Sequence, residues 1–165
     1  MNIETQTHNY TVVVLSFVVA MCLSVYPLPD SWQWFRPEFV ALLVIYWVTA
    51  LPHQVGILTA FIVGLAQDIV ELSVIGLHAL CLVAVAYFCV LSYQRIRSYA
   101  LWQQSLWVFV LTGIHQVFWN WAQSFSGPNS DSLMFLTPAL VSAVMWPVIL
   151  IVMEWVRIRT HVRQY

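Results

Sequence analysis

Residues 39–67 read FVALLVIYWVTALPHQVGILTAFIVGLAQ, 29 consecutive positions without a formal charge. A helix crossing a bilayer needs about 20 predominantly apolar residues. This run is too long for one crossing and too apolar for the surface of a soluble domain. Pro52-His53-Gln54-Val55-Gly56 interrupts it, and proline and glycine in such a cluster mark a turn. The stretch therefore predicts two membrane helices: span 2 over about 36–52 and span 3 over about 55–72, joined by a tight turn.

The same reading extends in both directions. Residues 5–29 carry no charge, and Pro27, Pro29 and Asp30 close span 1 at about 10–27. Trp32, Trp34 and Phe35 follow as an aromatic belt, with Arg36 and Glu38 as the charged edge of span 2. Span 4 covers about 76–94 and ends at Arg95 and Arg97. The next charge-free run, residues 98–130, would be about 50 Å long if wholly helical, so span 5 is set at about 102–125. Gly127-Pro128-Asn129-Ser130-Asp131 is a turn cluster, and span 6 covers about 134–153 with Pro138 in its first turn and Pro147 inside it. Pro147 should kink that helix or leave the Ala143 carbonyl without its usual partner. Residues 154–165 are a tail. The whole chain, 1–165, reads as one transmembrane domain.

Composition points the same way. Of 165 residues 61% are apolar and 8% charged, with six arginines and no lysine; ordinary soluble domains are about 45–50% apolar and about 25% charged. That composition argues against a soluble enzyme, and a net charge of −1 without a basic face rules out a basic nucleic-acid binder, so no nucleic acid is expected as a partner. Continuous runs such as Val12-Val13-Val14-Leu15 and Val148-Ile149-Leu150-Ile151-Val152 lack the alternation of a transmembrane barrel. With six spans, Arg95, Arg97, Arg157, Arg159 and Arg163 fall on one side and Arg36 alone on the other, which places both termini in the cytoplasm. Met1 to Thr11 has no Arg or Lys, so the first apolar run is expected to stay as an anchor rather than be cleaved. Cys22, Cys81 and Cys89 lie in apolar runs and read as small buried hydrophobes.

Span 3 holds the most informative face. At 100° per residue, Gly56, Ala60, Gly64, Gln67, Asp68 and Glu71 fall within about 120° of one another. Ala60 and Gly64 form a small-residue pair that lets another backbone approach. Asp68 costs about 2.5–3.5 kcal/mol at a helix centre on insertion scales, so it should face the bundle or a wet cavity and have a partner. Either it belongs to a binding pocket or proton path, or it makes a hydrogen bond that fixes packing. Glu71 either joins it or reaches interfacial water. On span 5, Thr112, Gln116, Asn120 and Gln123 share an arc of about 80°, flanked by His115. They read as helix–helix glue or, if spans 3 and 5 face each other, as the opposite wall of one polar cavity. His78 reads as a capping or interfacial residue, with pairing to Glu71 as the alternative. No motif supports catalysis, a metal or a cofactor.

Several segments, in this order and spacing, resemble a known family: Phe35-Arg36-Pro37, Leu42-Leu43, Tyr46-Trp47, Leu51-Pro52-His53, Gly64-x-x-x-Asp68, Gly76-Leu77, Ala79-Leu80, Leu101-Trp102-Gln103-Gln104 and Trp146-Pro147. Together they resemble MreD, the rod shape-determining membrane protein family, in its proteobacterial form. One departure is visible: the family often has glycine four residues after the membrane aspartate, and here Leu72 stands there. The resemblance implies a multi-pass protein of the bacterial inner membrane, in contact with phospholipid. It implies a fold like the S components of energy-coupling-factor transporters. It also implies a non-enzymatic scaffold of the cell-wall elongation (Rod) complex, supporting rod shape and lateral peptidoglycan synthesis. The implied partners are an MreC-like bitopic protein, the MreB filament, RodA and a penicillin-binding transpeptidase; a second copy of the chain is a further candidate. On this reading the polar faces of spans 3 and 5 pack against a partner's single helix. The alternative is a membrane protein of S-component type that binds a small molecule or lipid precursor near Asp68.

Overall fold

The computed structural model describes residues 3–27, 35–52, 54–123 and 136–160, with side chains from Tyr10 onward apart from that of Gln123. Six helices follow in order: α1 Ile3–Val25, α2 Phe39–Ala50, α3 Ile57–Val70, α4 Leu77–Ser98, α5 Leu101–Gln123 and α6 Thr137–Arg159. No strand occurs among the described residues. The chain is all-α, and α4 and α6 are long and apolar enough to cross a membrane by length and composition. The expected belt at Trp32 and Trp34, His53 of the turn, the 127–131 turn cluster and Arg163 lie outside the described residues.

The post of the bundle is α2. Every residue from Val40 to Ala50 is buried, as suits a helix that is apolar on all sides. α1, α4 and α6 pack around it, α5 touches it, and α3 is held through α4. The 12 residues of α2 rise only about 18 Å, short of the roughly 30 Å hydrocarbon core. The helix is thus shorter than the span expected at 36–52, and α3, with 14 residues, is shorter than 55–72. Prolines explain the first difference, since Pro37 and Pro52 bracket α2. The end of α3 explains the second. Leu72 takes φ 52°, and the Ser73 N–H reaches back to the Asp68 carbonyl at 3.0 Å, a Schellman-type stop.

Polar tips of aromatic side chains tie the helices to one another, as buried Trp and Tyr require. The Trp47 indole N–H donates to Ser16 Oγ of α1 at 2.8 Å. The Tyr46 hydroxyl donates to Glu154 of α6 at 3.2 Å. The Trp146 indole N–H donates to Gln104 Oε1 of α5 at 3.3 Å. Gln103 Oε1 accepts from the Ala100 N–H at 3.1 Å, a side chain reaching back over the start of α5. α6 runs unbroken through Pro147, with Pro138 in its first turn.

Large apolar side chains are exposed on α1 and on α3 to α6. Leu58, Ile69, Val144 and Ile151 are each more than 60% exposed. A patch of this kind on every side of a bundle belongs in an apolar solvent rather than in water. Cys81 and Cys89 are buried as expected; Cys22 instead lies exposed on the outer face of α1.

Candidate functional site

At the end of the bundle where α3 stops and α4 begins, Asp68 is fully enclosed, 0% exposed. Its Oδ1 accepts the Ser73 hydroxyl at 2.7 Å, the His78 N–H at 3.0 Å and the His78 ring Nδ1 at 2.9 Å. Its Oδ2 accepts the Gly76 N–H at 2.7 Å. The sequence makes this geometry by two left-handed residues. Leu72 turns the chain after α3, and Gly76, at φ 97°, turns it into α4. Gly76 is the N-cap of α4 and has no side chain with which to cap it. Asp68 supplies the missing oxygen from the neighbouring helix, and its negative charge sits at the positive end of the α4 dipole.

Gly64 makes the approach of α3 to α4 close enough. A Cβ at this position would lie 2.3 Å from the Ala79 Cα and 2.6 Å from the Ala79 nitrogen. The small-residue face of Ala60 and Gly64 therefore meets this chain's own α4 and is not open to a foreign helix. Gln67 lies on the same face, and its Nε2 donates to Glu71 Oε1 at 2.9 Å. Ser24 of α1 donates to the same Glu71 oxygen. Glu71 Oε2 stands 3.3 Å from His78 Nε2. The imidazole thus bridges two carboxylates: His78 is buried and pairs with both Asp68 and Glu71, beyond the capping or interfacial role expected of it.

The alternative in which spans 3 and 5 face each other directly is not the packing observed. α3 packs chiefly on α4, and α4 packs in turn on α5. The two polar stripes approach each other through His78, whose ring lies 4.2 Å from that of Trp119 and 6.1 Å from that of His115, centroid to centroid, and Glu71 at the end of α3 lines one cavity with His115 and Trp119. Gln116 is buried and donates to Glu38 Oε1 at 2.6 Å. Thr112 is buried as well, its hydroxyl turned back to the Val108 carbonyl of its own helix. Asn120 is half-buried, and the Gln123 side chain lies outside the described residues.

Three participants were not anticipated: Ser24, Trp119 and the Glu38–Gln116 contact. The arginine of the Phe35-Arg36-Pro37 segment also acquires a role. It donates to the Leu23 and Tyr26 carbonyls at 3.1 and 2.7 Å and so closes the C-terminus of α1. Arg36, Glu38, Glu71, His78, His115 and Trp119 line one cavity of about 140 Å³. Among the described residues no group of three His, Cys, Asp or Glu side chains is arranged to hold a metal ion. At the opposite end of the chain's helices, Arg97, Arg157, Glu154, Tyr46 and Gln104 line a second cavity of about 260 Å³, in which Glu154 and Arg157 are paired.

The family model described as rod shape-determining protein MreD matches residues 5–156 of the chain. The chain belongs to the MreD family. It is 31% identical to the rod shape-determining protein MreD of Haemophilus influenzae over 153 residues, which cover 86% of this chain and 87% of that one. No solved structure matches. Membership of the MreD family, with an all-helical bundle whose exterior is apolar, makes this a rod shape-determining membrane protein. The motif positions of the MreD resemblance are mostly places where helices end or are tied together. Pro37 and Pro52 bracket α2, Tyr46, Trp47 and Trp146 donate to neighbouring helices, and Gly76 turns the chain into α4. Trp102 is different, being 70% exposed.

Proposed function

We propose that the chain is a multi-pass inner-membrane scaffold of the cell-wall elongation complex. It acts without catalysis and works by association with an MreC-like bitopic protein beside MreB, RodA and a penicillin-binding transpeptidase. The observation that carries this reading is the state of Asp68. An acid or base catalyst needs a free oxygen within reach of its substrate. Both oxygens of Asp68 are engaged inside the chain, and the side chain is sealed. Such a carboxylate holds two helices in register, which is what a scaffold requires of it.

Six crossings with both termini in the cytoplasm go with this reading. Arg97 and Arg157 line a common cavity, which puts the ends of α4 and α6 together, while Arg36 sits at the other end with Glu71. This pairing supports a common cytoplasmic side. α2 and α3 are too short to cross alone, and α2 is shielded by its neighbours, as expected of segments buried in protein at membrane depth. The partner helix would use the outer faces of the bundle, since the Gly64 face is already occupied by α4.

Detergent co-purification with the MreC-like protein of the same organism tests the proposal. A stable complex with the wild-type chain is expected. A monodisperse, helical chain that recovers no partner would contradict it.

A further inference from the structure

The cavity between Arg36 and His115 contains a group that the scaffold role does not use. His115 is 2% exposed and lines the cavity, and neither ring nitrogen has a hydrogen-bond partner among the described residues. Buried polar groups in folded chains are almost always satisfied, so a wholly unpartnered imidazole aimed into a cavity points to a ligand. A neutral imidazole offers one donor and one acceptor.

The other walls define the ligand's charge. Glu38 and Glu71 both contribute carboxylates. Arg36 brings one positive charge to the same wall: its terminal nitrogen donates to the Leu23 and Tyr26 carbonyls at the end of α1, while its Nε has no partner among the described residues. Two carboxylates against one guanidinium leave the lining with a formal charge of −1, which favours a cation over an anion. Trp119 adds an indole ring, the side chain whose face attracts cations best. The volume is close to that of an engineered cavity known to accept benzene, so a group of about six heavy atoms fits.

We propose that this cavity binds a primary ammonium group. Glu38 Oε1 is taken by Gln116, and Glu71 Oε1 by Gln67 and Ser24, so Glu38 Oε2, the remaining lone pair of Glu71 Oε2 beside His78, and the His115 acceptor nitrogen match its three N–H donors, and a quaternary ammonium has none to offer them. Two sources share this chemistry: the ethanolamine headgroup of a phospholipid and a free small amine. The cavity lies where α1 ends and α4 begins, which in a bilayer is the level of the headgroups.

The test uses the full-length chain with ¹⁵N-labelled histidine in detergent micelles, His115 being assigned with the His115→Gln variant. Ethanolammonium chloride, choline chloride and sodium phosphate are titrated separately. In a second arm the chain is placed in nanodiscs with or without phosphatidylethanolamine in a phosphatidylcholine background. A saturable shift of the His115 signal with ethanolammonium, at least about tenfold stronger than with choline, supports the site; that ratio corresponds to loss of one hydrogen bond to a charged group. A response in nanodiscs but not to the free amine also supports it and assigns the lipid. A response to the free amine alone assigns a small amine. Glu38→Gln should weaken the response about tenfold at unchanged helicity. Should that variant not fold, the wild-type comparison of ethanolammonium with choline decides by itself. No response to any amine, equal responses to ethanolammonium and choline, or a response to phosphate alone would overturn the proposal.

Discussion

Gly64→Ala adds one carbon at the tightest point of the bundle. An ideal Cβ there falls 2.3 Å from the Ala79 Cα and 2.9 Å from the His78 carbonyl carbon. Carbon atoms rest at about 3.5–4.0 Å. The obstructing atoms are backbone, so no rotamer change relieves them. α3 and α4 must part by about 1.2–1.7 Å at this level. One turn further along α3, Asp68 holds the Gly76 and His78 N–H groups at 2.7 and 3.0 Å. The same displacement carries both beyond hydrogen-bond reach, about 3.5 Å. Each hydrogen bond to a charged group contributes about 1.5–3 kcal/mol, so losing two costs about 3–6 kcal/mol. If the helices tilted apart and left Asp68 undisturbed, only an overpacking cost of about 1–3 kcal/mol would remain. Equilibrium unfolding in mixed micelles, titrated with sodium dodecyl sulfate and followed by far-ultraviolet circular dichroism, separates these values. A Gly64→Ala variant within about 1 kcal/mol of wild type would refute the argument that this glycine sets the register of α3 on α4.

Leu72→Gly should stabilise the chain by about 0.5–1 kcal/mol in the same assay. It removes a left-handed strain of about 1–2 kcal/mol at a side chain that is 92% exposed, against glycine's extra chain entropy of about 0.5–1 kcal/mol; a loss of stability would count against the turn described. Ser16→Ala leaves the Trp47 indole N–H buried without an acceptor and should cost about 1–3 kcal/mol; an unchanged midpoint would mean that this contact does not tie α1 to α2. In a Cys22→Ser background, Ser98→Cys and Thr160→Cys should react with an impermeant maleimide from the cytoplasmic side, and Leu72→Cys from the opposite side. Labelling of all three from one side would contradict the six-crossing arrangement.

The helices were legible because charges and prolines punctuate an otherwise apolar chain. Arg36 and Glu38, Pro52 and Gly56, and Arg95 and Arg97 each stand at or near a helix end. The close approach at Gly64 was legible too, since a small residue beside small residues permits it on any helix. Which helix approaches was not, because the pattern on one face carries no information about the face opposite. It proved to be α4 of the same chain. The pairing of Asp68 with Gly76 and His78 depends on two left-handed residues in a six-residue loop, and Leu72 is a residue that rarely takes that conformation. The departure at Leu72 from the family's glycine was visible in the sequence; the left-handed turn that explains the glycine became visible only in the backbone. The Glu38–Gln116 contact joins positions 78 residues apart, and no local spacing announces it. His115 was noticed as a flank of the α5 stripe, yet its lack of a partner is a property of the packing around it.

On the proposed scaffold reading, Asp68 holds α3 and α4 together and performs no chemistry. Rod-shape rescue in cells depleted of their own MreD-family protein tests it most directly, with Asp68→Asn compared to wild type and membrane abundance measured alongside. Rod shape should then fail only in proportion to the loss of folded protein in the membrane. Rescue should return when a stabilising change such as Leu72→Gly restores that abundance. Round cells with Asp68→Asn present at wild-type abundance and with wild-type unfolding behaviour would contradict it, and would make the carboxylate a chemical participant.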